Sequence, residues 1–276
     1  MKALVCSLVF ALVSAQALAV TAPAADPSSI EQQMRELNWY KPGSIGKLTD
    51  KAEFKVTEGY TFLSAADTDK FLKLNGNLPQ GNSYTVASTK KNWFGILNFS
   101  PEGYVKDDET IDADALLKTL KEHNVASNEE RKKQGYPTLI LEGWFFPPRY
   151  DTENKRLEWG TRLRDENHNL VVNVSTKILG RSGYTSAILA TSPDTLNEDL
   201  EDFKKALKNF DYVSGEKYSE WKQGDKIAAY GLGALVVGGA AAVATSKGGL
   251  KAIGLAIVAG IAAVWAFIKR IFMRKQ

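Results

Sequence analysis

The stretch that decides the fold is Arg156–Thr191, RLEWGTRLRDENHNLVVNVSTKILGRSGYTSAILAT. It holds three apolar-rich runs, Arg156–Arg164, Leu170–Leu179 and Tyr184–Thr191. Two polar clusters separate them, Asp165-Glu166-Asn167-His168-Asn169 and Gly180-Arg181-Ser182-Gly183, both of turn composition. A fourth run, Thr138–Phe146, comes just before. Strands joined by tight turns pair antiparallel, because a parallel return needs a crossover of a dozen or more residues. The stretch therefore predicts an antiparallel meander.

Downstream, Ser192-Pro193-Asp194 opens a helix, with Ser192 or Asp194 as cap and Pro193 at its start. Leu196, Leu200, Phe203, Leu207 and Phe210 give it an apolar stripe, which needs a sheet face to cover. Upstream, Asp112 caps a second helix carrying Leu116, Leu117 and Leu120; it runs toward Arg131 and stops at Gly135-Tyr136-Pro137. Tyr84–Ser88 and Trp93–Phe99 form a hairpin. Ala52–Val56 and Tyr60–Leu63 are strands joined by Thr57-Glu58-Gly59, and Ala65–Leu74 is a short helix. The fold class is α+β, one antiparallel sheet with covering helices, over residues 46–213. That length suffices for a single core.

The two ends of the chain differ from this domain. Met1–Ala19 has a positive Lys2, an apolar Ala3–Ala15 and an Ala17-Leu18-Ala19 cleavage pattern, the layout of a secretory signal peptide. Residues 20–45 follow as a flexible segment with a short helix that puts Ile30, Met34 and Leu37 on one face. Residues 214–226 are a linker. Two uncharged runs, Ile227–Thr245 and Ala252–Ile268, are each close in helical length to the ~30 Å hydrocarbon core of a bilayer. Neither shows the polar stripe of a soluble hairpin. They are expected to form a transmembrane helical hairpin, with 269–276 as a basic tail. Ala252, Ala256 and Gly260 recur at i, i+4, the small-residue spacing that lets helices meet closely in lipid, within one chain or between copies. Trp265 sits near the end of the second run, where an interfacial aromatic belongs.

Charge placement sets up a conflict over topology. With an exported domain and two spans, Lys247 and Lys251 lie in the cytoplasm, as the positive-inside rule asks. Lys269, Arg270, Arg274 and Lys275 then lie outside, against the rule. A single span would reverse the second placement. The length of both runs favours two.

Composition narrows the chemistry. Cys6 is the single cysteine and leaves with the leader, so the mature chain has no disulfide, thiol nucleophile or cysteine metal site. Removing Lys2 lowers the net charge from +3 to +2, too balanced for a nucleic-acid footprint. Neither a Walker A nor a Rossmann glycine motif occurs, and no cofactor is expected.

Four segments resemble a known family: WFGILNFSPEGYVKDDE (Trp93–Glu109), GYPTLILEGWFFPPRYD (Gly135–Asp151), LEWG (Leu157–Gly160) and VNVSTKILGRSGY (Val172–Tyr184). They are similar to the hallmark segments of a bacterial family of membrane-anchored proteins catalogued as a domain of unknown function. Leader, domain and apolar end share that layout. The resemblance implies an envelope protein and carries over no catalytic residue. A weaker fold-level likeness points to the PsbP and Mog1-type sandwich, which is analogy and fixes no function.

Candidate sites follow from residue type. Trp144, Arg149, Tyr150 and Asp151, with Trp159 and Arg162 on the next strand, combine aromatic faces and charge in a way that grips a sugar or peptide. Pro147-Pro148 between them reads as a strand break. The acidic run Asp107-Asp108-Glu109, continued by Asp112 and Asp114, has the hard oxygens of a Ca²⁺ site without EF-hand spacing, and no metal is expected. Gly180-Arg181-Ser182-Gly183 is either an anion cradle or a plain turn. His123 and His168 lack any nucleophile elbow, and no catalytic residue is assigned. The expectation is a non-enzymatic binding or scaffolding module on the periplasmic side of a bacterial inner membrane, with lipid, an envelope protein or a second copy as partner. The alternative is a tethered hydrolase of envelope polymers that uses carboxylates such as Glu142 and Asp151 beside Arg149 or Arg162.

Overall fold

The computed structural model describes residues 27–75, 79–133 and 137–238. The proposed leader, the second apolar run and the basic tail lie outside the described residues. So does the end of the first run, residues 239–245.

Alternation of apolar and polar residues produces the central sheet. Seven strands, β3 (Tyr60–Leu63), β4 (Ser83–Ser88), β5 (Phe94–Ser100), β6 (Leu139–Asp151), β7 (Arg156–Asp165), β8 (Leu170–Leu179) and β9 (Tyr184–Ala190), align in the order β3-β4-β5-β9-β8-β7-β6. Every pairing is antiparallel. The expected meander is the β6-β7-β8-β9 half, and the expected hairpin is β4-β5.

The sheet count differs from expectation. A second, three-stranded sheet has the order β1-β2-β10, from β1 (Ile45–Leu48), β2 (Ala52–Lys55) and β10 (Phe210–Tyr212). So β2 and β3, neighbours in sequence, belong to different sheets. Phe210 closes no helical stripe; it pairs with Phe54 in β10. Strand β6 also runs straight through Pro147-Pro148 instead of stopping at Phe146. It is the outer strand, where a residue without an N–H removes no ladder bond, and register shifts between Trp144 and Arg149 absorb the misfit.

The large sheet is covered on both faces. On one lie the small sheet and α4 (Leu196–Leu207), whose Leu200, Phe203 and Leu207 meet Val86, Trp93, Leu97 and Leu189 in one buried cluster. Helix α4 starts later than Pro193: Thr195 precedes it, and the Thr191 and Thr195 hydroxyls both bond Asp199. Gly95 on β5 lets α4 come close, since a Cβ there would overlap the Phe203 ring. The other face is covered by α1 (Pro27–Arg35), α2 (Ala65–Leu74), α3 (Ala113–Lys133) and α5 (Leu232–Val237). Asp112 caps α3 as expected, its carboxylate accepting the backbone N–H of Asp114 and Ala115.

The folded unit is wider than residues 46–213. Leu37 and Met34 at one end pack with Phe71 and Leu72. At the other, residues 214–226 are no free linker. The Tyr218 hydroxyl donates to the Val105 carbonyl at 2.8 Å, and Arg181 forms a two-point pair with Asp225 at 2.7 Å. The first apolar run does not begin as a continuous helix at Ile227. Ile227 bridges Tyr104, and the Ala228 N–H donates to the Tyr104 carbonyl at 2.9 Å. Among the described residues of the run only Leu232–Val237 is helical, followed by Gly238 with φ of 123°. Leu232, Leu235 and Val236 are buried with Trp159 and Tyr184. The apolarity of this half of the run is explained by the domain core it enters. Among the described residues no helix is long and apolar enough to cross a membrane.

Candidate functional site

The six residues expected to grip a ligand are not gathered in one cleft. Trp159 is buried, and Trp144 and Tyr150 pack beside it on the face covered by α3 and α5. Trp144 donates through Nε1 to the Ala113 carbonyl at 3.2 Å, and Tyr150 donates its hydroxyl to Asp107 at 2.8 Å. Arg149 and Arg162 are exposed. Arg149 stands 5.9 Å from the Phe146 ring, and with Tyr150 and Asp151 it borders an open groove that also touches Lys204 and Lys208 of α4. Asp151 closes its own turn by accepting the N–H groups of Glu153 and Asn154 at 3.0 Å.

The other candidates have structural partners. Asp107 holds Lys155 at 2.8 Å as well as Tyr150, and Glu109 accepts the Gly233 N–H at 3.0 Å. Among the described residues no group of acidic or histidine side chains is arranged to hold a metal. In the Gly180–Gly183 turn, Arg181 is taken by Asp225 and Ser182 by Glu216. Glu142 is paired with Arg164 on the surface. It stands nine residues before Asp151 on the same strand, a separation of about 30 Å at the usual rise per residue. The carboxylate constellation of a hydrolase is therefore not assembled from these two residues.

The best-formed site lies elsewhere, between the sheet and its α3/α5 cover. Strand β8 reads LVVNVSTKIL, and its period of two sends Asn173, Ser175 and Lys177 to one face while Val172, Val174 and Ile178 enter the core below α4. The register sets Ser175 beside Trp159 and Ile188, Asn173 beside Thr161, and Lys177 beside Ser186. Leu120 and Asn124 of α3 and Leu235–Gly238 at the end of α5 form the roof. The half-open cavity measures ≈ 270 Å³ and is mostly apolar, with most of its polar groups on the strand floor.

Two of those polar groups lack ordinary partners. Lys177 donates Nζ to the Ser186 hydroxyl at 2.8 Å and lies 5.2 Å from the Tyr184 ring centre and 5.8 Å from that of Trp159. Among the described residues no carboxylate pairs with it. Burial alone pushes its pKa down from 10.5 to about 8. Among the described residues the buried amide oxygen of Asn173 has no hydrogen-bond partner. An unmet buried acceptor costs about 1–3 kcal/mol, which makes it a position where a ligand donor or a water is wanted. The sequence carried a signal for this site: polar residues at alternate positions in a strand whose other positions are all apolar or β-branched. Strand alternation alone assigns such a face to solvent, and only α3 and α5 turn it into a cavity.

The fold and cavity define an α+β sandwich with a small-molecule-sized pocket between the sheet and its helical cover. The chain belongs to the family DUF2167, described as a protein of unknown function, which matches residues 39–269. This bears out the family resemblance seen in the sequence. No curated protein matches the chain. Among solved structures it is similar to the solution structure of cyanobacterial PsbP (CyanoP) from Synechocystis sp. PCC 6803, at 13% identity and a TM-score of 0.35. That likeness covers 63% of this chain and 91% of the other.

Proposed function

We propose that the protein is a membrane-anchored envelope module that binds a small molecule without transforming it, with the cavity between β7–β9 and the α3/α5 cover as its binding site. The observation that carries this reading is the cavity itself: roofed by α3 and α5, ≈ 270 Å³, mostly apolar in its walls, with Lys177 and the unmet Asn173 oxygen on its floor. Mostly apolar pockets with a few convergent polar groups are the usual form of small-molecule sites. The leader pattern at Met1–Ala19 and the uncharged run Ala252–Ile268 support export and anchoring.

Docking of Ile227–Gly238 on the domain bears on the number of spans. Residues 239–245 are the remainder of the first run, and seven residues rise only about 10 Å as a helix. The reading adopted is one crossing through Ala252–Ile268, with the domain periplasmic and the tail of Lys269, Arg270, Arg274 and Lys275 cytoplasmic. That arrangement puts the larger cluster, the tail's four cations, inside and leaves Lys247 and Lys251 outside, whereas the two-span hairpin does the reverse. Association of copies through Ala252, Ala256 and Gly260 fits the same segment.

The absence of cysteine after the leader gives a direct test. Gln223→Cys and Gln276→Cys are probed separately in intact cells with a membrane-impermeant maleimide. Labelling at 223 and protection at 276 until lysis is the expected result. Labelling at both positions would restore two spans, and protection at 223 would remove the domain from the periplasm altogether.

A further inference from the structure

We infer that the cavity takes a small monocarboxylate amphiphile, its head on Lys177, a distal N–H or O–H on Asn173 Oδ1, and its apolar body under Leu235 and Val236. This deepens the proposal that the cavity is a binding site, and rests on it.

Charge comes first. A half-buried ammonium is held here by one hydroxyl and two aromatic faces, with no carboxylate among the described residues. An ammonium in such surroundings gains most from an anion that brings its own apolar body, since the pair is then formed away from water. Among the described residues Lys177 is the one cationic residue lining the cavity. One lysine matches a monoanion; a phosphate monoester carries close to two charges and is usually met by arginine or several donors. The Gly233 N–H at the roof is already taken by Glu109.

The second anchor narrows the class. Asn173 stands on the same face of β8 as Lys177, two alternations away, so their side chains rise about 13 Å apart at the base and converge only on a ligand that spans the floor. Its unmet oxygen accepts, so the ligand must donate. Size sets the scale. An engineered cavity of about 150 Å³ holds benzene, and one of ≈ 270 Å³ therefore suits about ten to twelve non-hydrogen atoms. A carboxylic acid with an apolar chain and an N–H or O–H donor at its far end meets all three conditions.

The test uses the full-length protein in nanodiscs and ligand-observed NMR titration with 6-acetamidohexanoate, against 6-acetamidohexanamide as the neutral isostere. Both have a distal N–H donor and the same methylene chain, and only the first has the carboxylate. The carboxylate is expected to bind about tenfold or more tightly than the amide, as a charge-assisted hydrogen bond requires. Lys177→Met should bring its affinity down to that of the amide and leave the amide unchanged. Val236→Trp, which fills the cavity, should abolish both. If both probes bind alike and ignore Lys177→Met while Val236→Trp still removes them, the anion assignment is overturned and the cavity remains a site. If neither binds to protein whose melting temperature is that of the folded chain, the cavity as a binding site is overturned too.

Discussion

The two faces of the large sheet are built to different specifications. The face under α4 and the small sheet is a continuous apolar seal: Phe54, Phe62, Leu97, Phe203 and Leu207 are fully buried in one cluster. The face under α1, α2, α3 and α5 is split into two clusters, one around Phe71, Leu72, Phe94 and Leu139, the other around Trp159, Tyr184, Leu232 and Leu235. Between them runs a strip of Thr161, Asn173, Ser175 and Lys177, and over it the cavity. The first face spends its residues on packing. The second gives up packing along one strip and gains an internal space with directed polar groups. A protein under no demand for that space would fill it, because interiors otherwise pack to the density of organic crystals.

The largest expected effect lies on the sealed face. Phe203→Ala should cost about 3–5 kcal/mol in urea denaturation, since the ring fills the space above Gly95 and meets Trp93 edge-on at 5.5 Å. A loss under about 1 kcal/mol would mean that α4 does not seal the core. On the split face the sign reverses. The folded pKa of Lys177, about 8, lies below its ordinary 10.5, so folding disfavours the charged form. That penalty is complete below pH 8 and disappears as the pH rises through 10.5. Lys177→Met should therefore raise stability by about 2 kcal/mol at pH 7, allowing for partial exposure, with the gain gone near pH 10.5. Destabilisation at pH 7 would show that the ammonium contributes to the fold rather than to a ligand. At the rim, Asp112→Ala removes the α3 cap and should cost about 1 kcal/mol. Asp112→Asn should recover most of it. Glu142→Gln, on an exposed pair, should leave the denaturation midpoint unchanged within error.

The contrast also explains what could be read from the sequence. The meander, the β4-β5 hairpin and α2 to α4 were legible because their periodicity extends over several residues and their turns are made by local chemistry. Strand β10 was missed because three residues are too short to show a period, and its pairing with β2 joins positions more than 150 residues apart. Strand β1 was missed because it turns Ile45 to solvent and Gly46 inward, the reverse of the apolar alternation by which a strand is read. Pro147-Pro148 marks a break in any strand but an outer one, and the rank of β6 in the sheet is a tertiary fact. The ligand residues expected from composition failed for a related reason. Trp144, Arg149 and Trp159 are close in sequence, yet alternation and the shifts in β6 send them to opposite faces. The uncharged stretch Ile227–Gly238 reads equally well as a membrane helix or as core, and only its bonds to Tyr104 and Glu109 decide.

Helix α5 roofs the cavity and is also the last described element before the second apolar run. Lifting its six helical residues would uncover a molecule that touches Leu235 and Val236. By reciprocity, whatever holds α5 down would tighten the ligand, and a bound ligand would hold α5 down.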